Sequence, residues 1–290
     1  MITMKKAQIF CTFALMAFAL LSCEEEINLH LKTSATRLVV GGMITSDTTQ
    51  HIITLTQSAH YFDSTQVKYI SGALVEVMVA DSTVVFTESD EHPGWYLSPE
   101  DFYGVPGNEY RLRITNVGLP GISTDEEFTA SSIMPAIAPI DSASIGYSHE
   151  WDLWKIVISA QDPADQRNYY MFSLQRNGRQ ITKSLKEKTI LDDRLFDGKY
   201  ASEVWIFGLD TEEYDFQPND TLTMECYNIT KEFYYYVYAV QVEMQGSNPL
   251  FSGSPANVPG NISNNALGYF TACGVSRVDF INPYRIEDFK

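Results

Sequence analysis

From residue 37 onward, the apolar residues of this chain recur mainly at every second position, in short runs closed by turn-forming residues. "RLVVGGMI" (37–44), "HIITLTQ" (51–57), "ALVEVMVA" (73–80) and "TVVFTE" (83–88) are the first such runs. In "EYRLRIT" (109–115), Tyr110, Leu112 and Ile114 alternate with Arg111, Arg113 and Thr115. A period of two puts one set on a core and the other in solvent, as a half-buried antiparallel strand requires. "GVPGNEY" just before it is turn chemistry, with Pro106 next to Gly107. No helical period competes here, so residues 37–134 are expected to form a β-sandwich.

"SSIMPAIAPIDS" (131–142) has two prolines and no clear alternation, and reads as a linker. Beyond it the strand pattern restarts. "LWKIVISA" (153–160) sets Trp154, Ile156 and Ile158 on one face, and "TLTMECY" (221–227) does the same with Leu222, Met224 and Cys226. "YYMFSLQR" (169–176) and "RQITKSL" (179–185) flank Asn177-Gly178, a strong hairpin signal. One segment departs from this period. In "TKEFYYYVYAVQVEMQG" (230–246) Phe233, Tyr236, Val237, Val240 and Met244 fall on one face of a helix near 230–245. Thr230 suits its cap, Glu232 its first turn and Gly246 its end. A buried strand is the alternative, because Tyr and Val favour strands. The expectation is a mainly β chain of two β-sandwich-like domains, 37–134 and 135–290, with one helix in the second.

The first residues follow a different logic. Lys5 and Lys6 precede the apolar run "AQIFCTFALMAFALL", and small Ser22 leads to Cys23, which reads as a removable export signal over 1–22. "LLSC" (20–23) resembles the bacterial lipoprotein lipobox, in which the cysteine is acylated and becomes the new N-terminus. Glu24, Glu25 and Glu26 then open a polar tether over 23–36. An acidic run in this place resembles the surface-export signal of Bacteroidota lipoproteins; a merely solvated tether is the other reading. Lys+Arg 20 against Asp+Glu 37 gives −17, and loss of the two leader lysines gives 18 − 37 = −19. A surface this acidic repels phosphate backbones and anionic lipid, so nucleic acid is not an expected partner and membrane attachment falls to the acyl chains.

Candidate chemistry is sparse. The chain has no P-loop, dinucleotide fingerprint, HExxH, CxxC or GxSxG, and its five histidines are scattered (30, 51, 60, 92, 149). No catalytic residues are therefore assigned. In "LDDRLFDGKY" (191–200), Asp192, Asp193 and Asp197 offer hard oxygen ligands beside a turn glycine, a weak calcium candidate against an ordinary surface loop. No other cofactor is expected. Cys226 and Cys273 remain after processing, as a disulfide pair or as two buried thiols. Trp95, Trp151, Trp154 and Trp205 line either a ligand platform or the core. Thr48, Ser64, Ser82, Ser142 and Thr221 each follow an aspartate, which resembles the O-glycosylation acceptor pattern of Bacteroidota exported proteins. Asp-Ser and Asp-Thr are also common turn starts.

"RLVVGGMITSD", "ISGALVEVMVADS", "GVPGNEYRLRI" and "PANVPGNISNNALGYFTACGVS" together resemble the Bacteroidota lipoprotein family catalogued as domain of unknown function 4249. The resemblance covers nearly the whole mature chain. It implies an immunoglobulin- or transthyretin-like N-terminal sandwich, a second β-rich domain, and association with a TonB-dependent outer-membrane β-barrel receptor. The expected role is that of an outer-membrane, surface-anchored accessory or binding subunit of a nutrient-uptake complex. A free-standing adhesin or envelope structural protein is the first alternative, and a secreted hydrolase the second. Residues 260–270 hold three asparagines and two glycines, and read as a loop plugged between the domains or facing a ligand. Incorporation of a radioactive fatty acid is expected to disappear in Cys23→Ala; label that persists in this variant refutes acylation at Cys23.

Overall fold

The computed structural model describes residues 36–59, 67–245 and 258–289. The export signal, Cys23, Glu24–Glu26, Ser64 and Gly246 lie outside them. The chain is mainly β, with one α-helix. Seven strands build the first half: β1 (Leu38–Thr45), β2 (Ile52–Gln57), β3 (Leu74–Val79), β4 (Ser82–Glu88), β5 (Trp95–Leu97), β6 (Glu109–Thr115) and β7 (Phe128–Ile133). They pair in the order β1-β2-β5-β4-β3-β6-β7. Because β4 pairs with both β3 and β5, it belongs to both layers and the ladder folds over itself. Alternation does the rest. Val40, Ile53, Leu55, Val77, Leu112, Ile114 and Phe128 point inward to one core. Two buried tyrosines satisfy their hydroxyls locally: Tyr96 donates to the Ile70 carbonyl (3.0 Å), and Tyr110 accepts the Val105 N–H (2.5 Å).

The second half contains β8 (Ser142–Ser148), β9 (Leu153–Gln161), β10 (Tyr169–Arg176), β11 (Arg179–Gln180), β12 (Thr189–Asp192), β13 (Tyr200–Asp210), β14 (Thr221–Asn228), α1 (Lys231–Met244) and β15 (Leu267–Ile281). The three-stranded sheet β13-β9-β8 covers one face of β10-β14-β15. Trp154, Ile156, Phe172, Leu174, Leu222 and Met224 fill the space between. Helix α1 packs on the opposite face, where Phe233 and Val237 meet Met171, Ile229 and Cys273. The Asn177-Gly178 turn has positive φ at both residues (51° and 74°), as the sequence predicts for a tight hairpin. Its second strand is shorter than expected. After Gln180 the Thr182 hydroxyl, not a backbone carbonyl, accepts the Leu174 N–H (2.9 Å), and the ladder stops. The expected linker begins inside β7, which runs to Ile133. Its remainder is packed down, with the Ala138 N–H on the Asn228 side chain (2.9 Å).

One strand joins the two halves. β15 pairs antiparallel with β14 and parallel with β1, from Val39↔Leu267 to Thr45↔Cys273, so a single sheet runs through both. Residues 36–290 form one unit, and the first core is completed from far downstream by Ile262, Ala266, Phe270 and Ala272. The seam needs glycine. Gly268 has φ +90°, and a Cβ there would lie 1.9 Å from the Val40 carbonyl oxygen. A Cβ on Gly260 would lie 1.7 Å from the Gly268 oxygen. Past the end of β1 the seam becomes polar. The Ser46 hydroxyl accepts the Val275 N–H (2.9 Å), and Arg277 joins Asp47 to the buried Glu225, whose carboxylate takes the Arg277 Nε–H at 2.8 Å.

Gly268→Ala combines left-handed backbone strain with a backbone clash. It is expected to lower stability by about 2–4 kcal/mol in urea denaturation. Gly146→Ala, on a strand where nothing lies within 4 Å of the added carbon, is expected to stay within about 1 kcal/mol of the parent. Equal effects of the two substitutions would contradict the seam geometry.

Candidate functional site

The parallel seam brings β1 beside α1 and leaves a groove between them. Val40 points into the core, so Gly41 and Met43 face the helix side of the sheet. Gly41 stands in register between Tyr269 of β15 and Thr54 of β2. That cross-strand row therefore has side chains at both ends and none in the middle. The resulting groove, about 270 Å³, is lined by the Gly41–Met43 strand, Ile52, Leu185, Phe233, Tyr236 and Tyr269. Its wall is a set of touching rings: Tyr236–Tyr269 at 4.7 Å, Phe233–Tyr269 at 5.1 Å and Phe233–Tyr236 at 6.0 Å between centroids. Burial raises both tyrosine pKa values, that of Tyr269 to about 12. Thr230 shares a hydrogen bond with the Tyr269 phenol.

Several contacts hold this wall in place. The Thr230 hydroxyl accepts the Phe233 N–H (3.2 Å) and caps α1, and Glu232 stands in its first turn as the sequence predicts. Gln241 donates to the Leu185 and Lys188 carbonyls (2.8 Å each) and fixes the 185–188 loop against the helix. Of the expected inner face, Phe233 and Val237 are buried, Tyr236 and Val240 half-buried and Met244 exposed. The opposite face is also apolar. Tyr235 and Tyr238, 53% and 55% exposed, stand beside Val242.

The 260–270 stretch is a seam element. Asn261 accepts the Phe270 N–H (2.9 Å) and donates to its carbonyl (2.7 Å), so one side-chain amide acts as a neighbouring strand. Ser263 takes the Thr129 N–H on its hydroxyl (2.7 Å) and gives its own N–H to the Thr129 carbonyl (2.8 Å). Asn264 donates to the Glu127 carbonyl (2.7 Å). These bonds occupy the free edge of β7, which would otherwise invite another strand.

The other sequence candidates divide. Asp193 and Asp197 do come together, but with Asp162 and not with Asp192; the three contribute carboxylate oxygens within 4.8 Å of one another. Consecutive residues point to opposite sides at the end of β12, and Asp192 pairs with Arg194 (2.7 Å). The two buried carboxylates already have partners. Asp193 binds Arg167 (2.8 Å) and the Asn168 N–H (2.6 Å), and Asp162 accepts from Tyr170 (2.6 Å) and the Gly198 N–H (3.0 Å). Thr48, Ser82, Ser142 and Thr221 are all exposed, in turns or at strand starts. The tryptophans occupy separate surroundings: Trp154 is buried with its N–H on the Tyr214 carbonyl (2.8 Å), Trp95 lies against His92, Trp151 is exposed, and Lys155 sits over Trp205. The aromatic wall comes instead from tyrosines and a phenylalanine. Lys188 donates to Ser173 (2.8 Å), with burial depressing its pKa, but Ser173 is fully buried and also bonded to Thr182.

A family model described as Domain of unknown function (DUF4249) matches residues 24–278, and no curated protein matches the chain. The matched span holds both inner cysteines, which are free thiols. Cys226 pairs in register with Ser276 and faces the core under β9, whereas Cys273, an odd number of residues away, faces α1. The sheet lies between them, so the candidate disulfide gives way to two buried thiols. Burial pushes both thiol pKa values up, that of Cys273 to about 12, which suppresses the reactive thiolate. In peptide-level alkylation without reductant, both are expected to be unmodified in the native chain and fully modified in urea. Failure of either to react in urea would contradict free thiols.

Proposed function

We propose, from the premise that this chain belongs to the family described as Domain of unknown function (DUF4249), that it is a lipid-anchored outer-membrane protein. In this reading it faces the cell exterior and serves as an accessory or binding subunit of a TonB-dependent nutrient-uptake complex. Cys23 carries the acyl chains, Glu24–Glu26 direct export, and the exposed Asp-Ser and Asp-Thr positions accept glycans.

The observation that carries the partner is the outer face of α1. A surface helix ordinarily covers its apolar face and turns charge to solvent. Here the covered face holds Phe233 and Val237, yet the uncovered face presents Tyr235, Tyr238 and Val242. Exposed tyrosines on an otherwise acidic protein fit the centre of a protein interface, where aromatic residues are enriched and charge is depleted. Rigid attachment of the helix to the central sheet favours a standing docking surface over one formed on binding.

The tagged chain, purified from detergent-solubilised outer membranes, is expected to carry a large β-barrel protein at stoichiometric yield. The Tyr235→Asp/Tyr238→Asp variant should keep its fold by circular dichroism and its fatty-acid label, and lose the barrel. A wild-type chain that purifies without a barrel contradicts the receptor reading.

A further inference from the structure

The groove between β1 and α1 has features that packing alone does not explain. The first is its floor. Strand β1 places Gly41 between Tyr269 and Thr54, and a Cβ there would meet the Thr54 hydroxyl oxygen at 2.8 Å. That oxygen is the end of a rotatable side chain that donates to the Gly41 carbonyl (3.2 Å), so the sheet would tolerate a larger residue. The second feature is the wall. Phe233, Tyr236 and Tyr269 touch one another at 4.7 to 6.0 Å with planes inclined by 17° to 48°. Rings that close leave no space among them for a cation, so a ligand in the groove meets them only from the groove side. The third is composition. Lining residues include glycine, aliphatic and aromatic side chains and no Asp, Glu, Lys, Arg or His. A charged ligand would be desolvated there without a counter-charge. The fourth is a polar handle. The Tyr236 phenol is half-buried with its pKa raised by burial, and has no hydrogen-bond partner among the described residues, whereas the Tyr269 phenol has Thr230.

We propose that this groove binds one uncharged ring with a flat apolar face, which stacks on the Tyr236–Tyr269 wall above Gly41 and receives a hydrogen bond from the Tyr236 hydroxyl. At about 270 Å³ the groove falls just below the usual range of ligand pockets, which suits a single ring and not a polymer segment. The chemistry is shared by a neutral pyranose, whose C–H face is apolar and whose hydroxyls are polar, and by a planar aromatic alcohol. The site is separate from the outer face of α1, so the inference stands whether or not a receptor partner exists.

The test uses the full chain in a detergent without a sugar headgroup and ligand-observed saturation-transfer NMR. The probes are methyl β-glucopyranoside, benzyl alcohol, methyl β-glucuronide as anion and choline as cation. Saturation transfer is expected to at least one of the two neutral rings, and which one responds identifies the source; neither charged probe should respond. Tyr236→Ala should weaken the responding neutral ligand about tenfold. Gly41→Val, which fills the floor and suits a strand, should abolish binding while the thermal midpoint stays within a few degrees of the parent. Absence of transfer to both neutral rings overturns the proposal, as does preferential binding of choline or the glucuronide. Unchanged binding in both folded variants overturns it equally.

Discussion

The parallel pairing of β1 with β15 is the constraint on which the rest of the molecule depends. Parallel strands cannot be joined by a tight turn, and here the connection is nearly the whole chain: Val39 pairs with Leu267. Closing so long a loop costs entropy that local contacts do not offset, so the seam has to be held by its own chemistry. Glycines at 260 and 268 allow three backbone segments to approach where a methyl group would collide with carbonyl oxygen. Asn261 supplies the hydrogen bonds of a missing strand, and Phe270 and Ala272 complete the first core from the far side. At the open end, Arg277 holds Asp47 and the buried Glu225 together. Glu225 and Arg277 are neighbours in the β14–β15 ladder, so the bond that separation of the halves would break is the charge-assisted one from Arg277 to Asp47.

The groove is a by-product of that seam. Helix α1 is fixed on the β14–β15 side by Phe233, Val237 and Cys273, and β1 arrives on the other side through its register with β15. Tyr269 belongs to the seam strand and to the aromatic wall at once. The same pairing that unites the two cores therefore sets the distance from Gly41 to the helix. Binding surfaces built on rigid strands and helices keep their geometry better than surfaces on loops, and this one rests on β1, β15 and α1.

Much of the architecture is legible locally. Alternation locates β6 to the residue, because one face lies in a core and the other is open to solvent, and the Asn177-Gly178 turn marks where β10 ends. The 3.6-residue spacing and Thr230 locate α1 despite its β-favouring Tyr and Val, since packing against the sheet overrides propensity. What could not be read is long-range. Nothing in "RLVVGGMI" points to "LGYFTAC" as its neighbour, so the shared sheet and the groove it makes stay hidden. Prolines at 135 and 139 gave residues 131–133 the look of a linker, although they close β7. Asp192 was grouped with Asp193 by sequence adjacency, yet alternation separates them and the fold brings in Asp162 from β9's far end. The asparagines of 260–270 read as a polar loop; the amides of Asn261 and Asn264 are spent on the backbone of Phe270 and Glu127, and Asn265 accepts from the Arg37 side chain.

Native-state hydrogen exchange tests the central claim, that both halves fold as one unit around the β1–β15 seam. If the seam is the joint described here, amides of Val40–Ile44 and Phe270–Ala272 will exchange with the same opening free energy as those of Leu112 in the first core and Phe172 in the second. Seam amides that exchange several kcal/mol more easily than both cores, or two cores that open at clearly different free energies, would mean that the halves are separate units resting side by side, and would contradict the account.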